Sequence, residues 1–271
     1  MPTLYIVPTP IGNLEDITLR ALRVLEEADL IAAEDTRVTR KLLAHYSIST
    51  PATAFHEHNR AQKTPYLLSL LPEKDIALVS DAGTPTINDP GQRLVSAAAA
   101  SGFDVVALPG ASALTTAIAV SGVHAEGFVY LGYLPARKAA RVKFLSELAS
   151  EPRTLVAFET PHRLAAALAD ILETFGDRRI AVCRELTKMH EEVLRGSISD
   201  AIAHFAQPRG EFTLVIEGAD ELMPQVSEED ARKVLAGLKE RGLTARDAIA
   251  QTTSVTGLSR RELYSIWLSL P

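Results

Sequence analysis

Short apolar runs recur along this chain, and stretches of helical periodicity lie between them. Up to residue 110 the candidate strands are Leu4–Val7, Leu30–Ala33, Thr53–His56, Ile76–Ser80 and Val105–Leu108. The clearest intervening helix places Ala21, Val24, Leu25 and Ala28 at i, i+3, i+4 and i+7, one apolar face of a 3.6-residue period. Continuously apolar strands need cover on both faces, and strand–helix alternation supplies it. The expected product is a parallel or mostly parallel sheet that closes near Ala113.

A second series follows at Phe128–Tyr133, Thr154–Phe158, Ile180–Arg184, Glu192–Arg195 and Phe212–Glu217. Its spacing is less regular, with Gly196 and Gly210 as punctuation, so a mixed sheet is expected. Ser197 and Ser199 can cap a helix between the last two strands. A helix over 112–121, built of Ala and Thr rather than charges, is expected to run buried between the halves. Beyond Pro224 the pattern is purely helical. Ala231, Val234, Leu235 and Leu238 share one face, Gly242 ends that helix, and Thr244 can cap the next. Thr256-Gly257-Leu258 marks a turn. Ser259 and Glu262 then form a capping box that opens a helix burying Leu263, Ile266 and Trp267. This tail reads as a helix-turn-helix module or as a small helical lid. The fold class is therefore α/β, with a first α/β domain over 1–113, a second over 114–222 and a C-terminal helical module over 223–271.

Composition narrows the function classes. The 271 residues are 46% hydrophobic and 23% charged, which suits a packed globular chain. No apolar run approaches the roughly 18 residues of a membrane span. No basic stretch precedes an apolar one at MPTLYIV, so no secretory signal is read and a cytoplasmic location is expected. The single cysteine, Cys183, excludes an internal disulfide framework and a cysteine-rich metal site. A net charge of −6 argues against bulk polyanion binding. From Arg232 to Arg261, however, seven basic residues face only Glu240 and Asp247, a footprint that suits nucleic acid or a solvated face.

Neither GxGxxG after the first strand nor a P-loop is present, and HExxH and GxSxG are also missing. Instead, three stiff loops follow strands, at Pro8–Asn13, Ser80–Gly91 and Pro109–Ala113. Open α/β sheets bind ligands at the carboxyl ends of their strands. Gly83 and Gly110 let backbone approach a ligand, the prolines stiffen the loops, and Asp81 or Ser112 offers a directed polar group. Ordinary turn chemistry explains any one loop. Three converging on one sheet edge point to a ligand site.

The segments PTPIGNLEDIT, AEDTR, FHEHN, SDAGTPTINDPG, PGASA, FETPHR, RELTKMHEE and GEFTLVIEG occur in this order. Together they resemble the small-subunit ribosomal RNA cytidine-2′-O-methyltransferases, the methyltransferase I family of the tetrapyrrole methylase superfamily. The likeness runs from Pro8 to about Gly218, and the tail is similar to that family's helical module. It implies two α/β domains with S-adenosylmethionine in the cleft between them, in a homodimer acting on small-subunit ribosomal RNA or the assembled subunit. Carried over by motif, Pro10, Asp81, Gly83, Thr84 and Ile87 would lie near the methionine and sulfonium end. Ser112 and Ala113 would also touch the cofactor, and Phe158, Leu186 and Thr213 would surround adenine and ribose. Those last three are also what a plain core of apolar strands would contain.

Glu34, Asp35 and Arg37 follow the second strand, with Arg40 and Lys41 one turn later. Asp35 could simply cap a helix. A ribose hydroxyl is a poor nucleophile, however, and transfer to it benefits from a general base, for which Asp35 or Glu34 is the candidate. Arg37, Arg40 and Lys41 would grip phosphate. Arg137, Lys138, Arg141 and Lys143 read as an exposed helix face or as a phosphate track, and Arg260 and Arg261 would add to it. His56 and His58 share a face if their strand continues; two imidazoles without a third partner read as cleft-rim groups or an alternative base, so no metal site is assigned. The charged run from Glu185 to Glu192 reads as a solvated loop, and Cys183 as core. Two other functions compete: carbon methylation of a tetrapyrrole, and a non-enzymatic helix-turn-helix regulator that senses nucleotides. The basic tail and the Arg37, Arg40 and Lys41 cluster favour RNA.

Overall fold

Residues 2–89, 91–219, 228–241, 243–256 and 260–270 are described in a computed structural model, in which the chain forms two units, 1–218 and 219–271. Side chains along the central strands of the first unit alternate between two apolar faces. Leu4 and Ile6 of β1 (Thr3–Ile6) pack on one face, and Tyr5 and the following Val7 on the other. In β4 (Ile76–Val79), Ile76 and Leu78 share the first face, and Ala77 and Val79 the second. With β2 (Leu30–Ala33), β3 (Ala52–Ala54) and β5 (Asp104–Ala107) they make a parallel sheet in the order β3-β2-β4-β1-β5.

Both faces are covered, as apolar strands require. The helices α1 (Leu19–Glu27) and α2 (Thr36–His45) bring Val24, Leu25 and Leu43 to one face. On the other, α3 (Arg60–Leu70) and α4 (Gln92–Ala100) bring Leu67 and Leu94. The change of side follows from topology. The chain steps from β1 outward to β3, then returns through β4 to β5, and right-handed crossovers in opposite directions place helices on opposite faces. The loops leaving the neighbours β1 and β4 therefore diverge, which opens a crevice at the carboxyl edge.

The second sheet is mixed, in the order β6-β7-β10-β8-β9: β6 (Phe128–Tyr133), β7 (Thr154–Glu159), β8 (Arg179–Arg184), β9 (Glu192–Ser197) and β10 (Phe212–Ile216). Only β6 and β7 pair in parallel. Leu155, Ala157, Leu214 and Ile216 face α7 (Pro161–Phe175) and α8 (Ile198–His204). Val156, Ala181, Cys183 and Val215 face Leu114 and Ala117 of α5 (Ala113–Ser121). Thr115 and Ala119 of α5 are exposed, so this helix is half-buried rather than enclosed. Cys183 sits in the core, where burial pushes its thiol up to about 12. Ser197 caps α8 in a capping box with Asp200, whereas Ser199 turns instead to Asp177.

One expectation fails in α6 (Lys138–Ser146). Arg141 does not join an exposed cationic face; its side chain is 4% exposed and bonds Asp170 of α7 at 2.8 Å through Nε and 2.5 Å through the terminal nitrogen. The face of α6 toward α7 is apolar, and Arg141 reaches across it to a carboxylate 29 residues away that no local spacing reveals.

In the second unit, α9 (Glu228–Glu240), α10 (Ala245–Thr256) and α11 (Arg260–Ser269) share a core of Ala231, Leu235, Ala248, Ile249, Leu263, Ile266 and Leu270. Trp267 packs against it partly buried, while Val234, expected on the same face, is exposed. Gly242, the 257–259 turn and Ser259 of the capping box lie outside the described residues, as do the side chains of Arg260, Arg261 and Glu262. Among the described residues no helix is long and apolar enough to cross a membrane.

The buried Arg141–Asp170 pair gives a direct test. Arg141→Ala leaves the buried Asp170 carboxylate with only the exposed Lys138 ammonium at 3.5 Å, and we expect a loss of about 3 kcal/mol in urea denaturation. An unchanged midpoint would return Arg141 to the surface.

Candidate functional site

The site is assembled by backbone before any side chain enters it. Thr9 N–H donates to the Gly83 carbonyl and Gly83 N–H to the Thr9 carbonyl, each at 2.9 Å, which ties the loops after β1 and β4 together. The Thr9 hydroxyl donates to the Ser80 carbonyl at 3.1 Å, and the Thr84 hydroxyl to the Ala111 carbonyl at 3.2 Å, which adds the loop after β5. Two glycines permit this closeness. Gly83 has φ +75°, a left-handed conformation costly to β-branched residues. A Cβ on Gly110 would stand 2.6 Å from the Pro8 ring. The loop after β2 joins through Asp81, whose carboxylate accepts Asp35 N–H at 2.9 Å, and through Glu34, whose carboxylate accepts Asp81 N–H at 3.3 Å.

Over these loops, and walled on the far side by β6, β7 and β10, lies a cavity of about 310 Å³. Asp81, Gly83, Thr84, Ile87, Ser112, Ala113, Phe158 and Thr213, all expected around a cofactor, line it. Pro10 and Leu186 do not. Pro10 faces a separate cavity, and Leu186 is 6% exposed in the core beneath α5. Position in a motif places a residue in a loop but not on a side of it, and the turn at 185–187 aims Leu186 inward.

The two candidate bases separate clearly. Glu34 lines the cavity, and burial raises its pKa above the ordinary carboxylate value. Asp35 caps α2, accepting Arg37 N–H at 2.8 Å, and pairs with the Arg37 guanidinium at 2.6 Å. Those bonds hold its carboxyl at about 2, in the setting of a helix cap and a guanidinium anchor.

Three further carboxylates, which no sequence motif singles out, line the cavity: Asp89, Glu159 and Glu211. Burial, reinforced by the charges of Glu34 and Asp81 and opposed by a hydrogen bond from Ser80, pushes Asp89 up to about 7. Its segment carries Thr86 at φ 78° and Asn88 at φ 65°, both strained for non-glycine residues, and the Asn88 amide donates to the Tyr130 hydroxyl. Glu159 is 2% exposed; one oxygen accepts Thr160 N–H at 2.8 Å and lies 3.3 Å from Arg163, and the other has no hydrogen-bond partner among the described residues. Asp89 stands inside the SDAGTPTINDPG segment, Glu159 inside FETPHR and Glu211 inside GEFTLVIEG. Membership of those segments is their signal in the sequence, but it does not give their facing, because the facing of a strand-end carboxylate is set by the other sheet.

Outside the cavity, Arg37, Arg40 and Lys41 lie exposed on the first turns of α2. Arg37 is 84% exposed despite its pairing, and Arg40 and Lys41 form no ion pair among the described residues. Arg137 is exposed, whereas Lys138 pairs with Asp170 at 3.5 Å and Glu173 at 3.7 Å. β3 ends at Ala54, so His56 and His58 do not continue a strand; the chain turns, and the Asn59 side chain accepts His56 N–H at 2.9 Å. The 185–192 run is paired within itself and with its neighbours, Lys188 at 2.9 Å from Glu185 and 2.6 Å from Glu211, and Glu192 at 3.1 Å from Arg184 and 2.5 Å from His204.

A family model described as Tetrapyrrole (Corrin/Porphyrin) Methylases matches residues 3–202. The chain belongs to the tetrapyrrole methylase family. The Ribosomal RNA small subunit methyltransferase I of Synechocystis sp. is 48% identical, across 100% of this chain and 99% of the relative. The protein of the same name from Thermotoga maritima is 49% identical, across 81% of this chain and 100% of the relative. Uroporphyrin-III C-methyl transferase from Thermus thermophilus, solved with S-adenyl homocysteine, is 19% identical with a TM-score of 0.58, over 79% of this chain and 97% of that one. That last likeness establishes a shared fold.

Asp89 yields a pH prediction with a defined sign. Its folded pKa, about 7, lies above the ordinary 3.8, so the folded state holds this proton more tightly than the unfolded state. The stability it contributes is complete below pH 4 and is lost as pH rises through 7. We expect Asp89→Asn to be more stable than the parent at pH 8, by about 2 kcal/mol after screening, and equal to it at pH 4. Urea midpoints at the two pH values measure this.

Proposed function

We propose that this protein transfers a methyl group from S-adenosylmethionine to the 2′-hydroxyl of a cytidine in small-subunit ribosomal RNA, as a homodimer acting on free RNA or on the assembled subunit. The observation that carries the reading is the carboxylate-lined cavity at the switch point of a methylase-family sheet, beside an exposed cationic turn. The near-full-length likeness to relatives named as ribosomal RNA methyltransferases supports RNA over a tetrapyrrole as acceptor.

The residues present fit the donor. Of the carboxylates that line the cavity of about 310 Å³, Glu159 pairs with Arg163 and Glu211 with Lys188, and Glu34, Asp81 and Asp89 favour a cationic ligand over a neutral one. The unpartnered oxygen of Glu159 is an acceptor suited to a ribose hydroxyl. Gly83 and Thr84, with Ser112 and Ala113, would hold the amino-acid end, and Phe158 and Thr213 the nucleoside. When bound, the donor supplies an electrophilic methyl group on a cationic sulfur.

The protein's own chemistry concerns the proton. Methylation of a hydroxyl leaves a proton that must go to a base, and a base is most effective with a pKa near the working pH. Asp89 meets that condition, with Glu34 beside it as the group whose charge helps to raise it. Asp35 has a positioning role. It fixes the Arg37 guanidinium at the start of α2 by taking its Nε edge, where the remaining N–H groups can hold a phosphate.

Incubation with labelled S-adenosylmethionine and small-subunit ribosomal RNA, or subunits, tests the reading. Nucleoside mass spectrometry should find 2′-O-methylcytidine; label in an added uroporphyrin, with none in RNA, would overturn it. Asp89→Asn should lower kcat by about 10²–10⁴-fold and flatten a pH profile that rises through 7 in the parent. An unaltered rate and profile would remove Asp89 from the chemistry.

A further inference from the structure

A second cavity, of about 230 Å³, opens beside the first. Its walls are mainly apolar, from Pro10, Leu14, Val38 and Leu42, with Lys41 at its edge. Asp81 lines both cavities and, among the described residues, is the only carboxylate of the second. Leu14 and Val38, both in its wall, are 39% and 40% exposed. The wall is built rather than loose. Asn13 caps the turn at Leu14–Asp16 by accepting Glu15 N–H at 3.1 Å, and the Tyr46 hydroxyl at the end of α2 donates to the Leu14 carbonyl at 2.6 Å.

This chemistry selects its occupant. Aliphatic walls with an exposed rim take a flat, uncharged ring. The cation in its wall, Lys41, takes an anion attached to that ring. A nucleobase with its flanking phosphates has both parts, and the shared wall at Asp81 puts the intervening sugar between the two cavities. We propose that the second cavity receives the base of the acceptor nucleotide, unstacked from its RNA, so that its ribose hydroxyl is presented to the first cavity across Asp81. The proposal rests on the RNA reading above and adds to it the place and the mode of recognition. Pro10 belongs to this pocket, which accounts for its absence from the wall of the other.

Filling the pocket tests it. Val38→Trp and Leu14→Trp stand on different elements, α2 and the Leu14–Asp16 turn, and neither residue lines the first cavity, so a folding defect in one is separable from blockage in both. Three readouts are taken on parent and variants: calorimetry with S-adenosylhomocysteine, fluorescence anisotropy with a short cytidine-containing single-stranded oligoribonucleotide, and methyl transfer to small-subunit ribosomal RNA. The expected result is product affinity within about twofold of the parent, oligonucleotide affinity weakened at least about fivefold, and kcat/KM lowered at least about tenfold. Lys41→Ala should raise KM and spare kcat. Parental oligonucleotide affinity and kcat/KM in both tryptophan variants would overturn the pocket. Failure of the RNA reading looks different: the parent itself would then transfer no methyl to RNA, while oligonucleotide binding would still report on the pocket.

Discussion

The reciprocal backbone bonds between Thr9 and Gly83 are the constraint on which the rest of the site depends. They join two loops that leave neighbouring strands in opposite directions. Without them the crevice at that divergence would be a gap between independent loops. With them it becomes a floor, to which Thr84 fastens the loop after β5 and Asp81 fastens the loop after β2. The floor is thus held by hydrogen bonds to main-chain groups rather than by side-chain packing, which loops lack. The requirement for glycine at 83 and 110 is a consequence of that closeness.

A rigid floor makes the electrostatics possible. Carboxylates that could move apart would do so and would titrate as ordinary surface acids. Held together by the floor and by the second sheet, Glu34, Asp81 and Asp89 sit above the usual carboxylate range, chiefly through desolvation, with the charges of neighbouring acids adding to it. Asp35 shows the opposite outcome. It follows Glu34 directly in the chain but pairs with a guanidinium, and so stays ionised far below neutrality. Adjacent acids in one motif acquire different roles from their partners alone.

The fold is largely legible in the sequence because its signals are local. Apolar runs mark the strands, the 3.6-residue period marks α1 and α9, and the glycine- and proline-bearing loops mark the carboxyl edge. The site is legible where motif residues sit in those loops, as at Asp81, Gly83 and Ser112. It is illegible where facing is decided by a distant element. Asp170 turns Arg141 from a surface cation into a buried one, and the second sheet brings Glu159 and Glu211 to a cavity whose other wall comes from the first sheet's loops. Asp89 is hidden for a different reason: its motif reads as turn chemistry, and its altered acidity exists only once it is buried with Glu34 and Asp81 nearby.

Two cavities meeting at one carboxylate suit a protein that brings two substrates together, one held by the converging loops and the other by the start of α2. The loop-built cavity between the two sheets is the proposed seat of the methyl donor, and on that seat the roles of Asp89, Glu159 and the second pocket all depend. A crystal structure of the complex with S-adenosylhomocysteine tests it most directly. The ligand is expected over Gly83 and Thr84, with a ribose hydroxyl on Glu159; the ligand bound elsewhere, with this cavity empty, would contradict it.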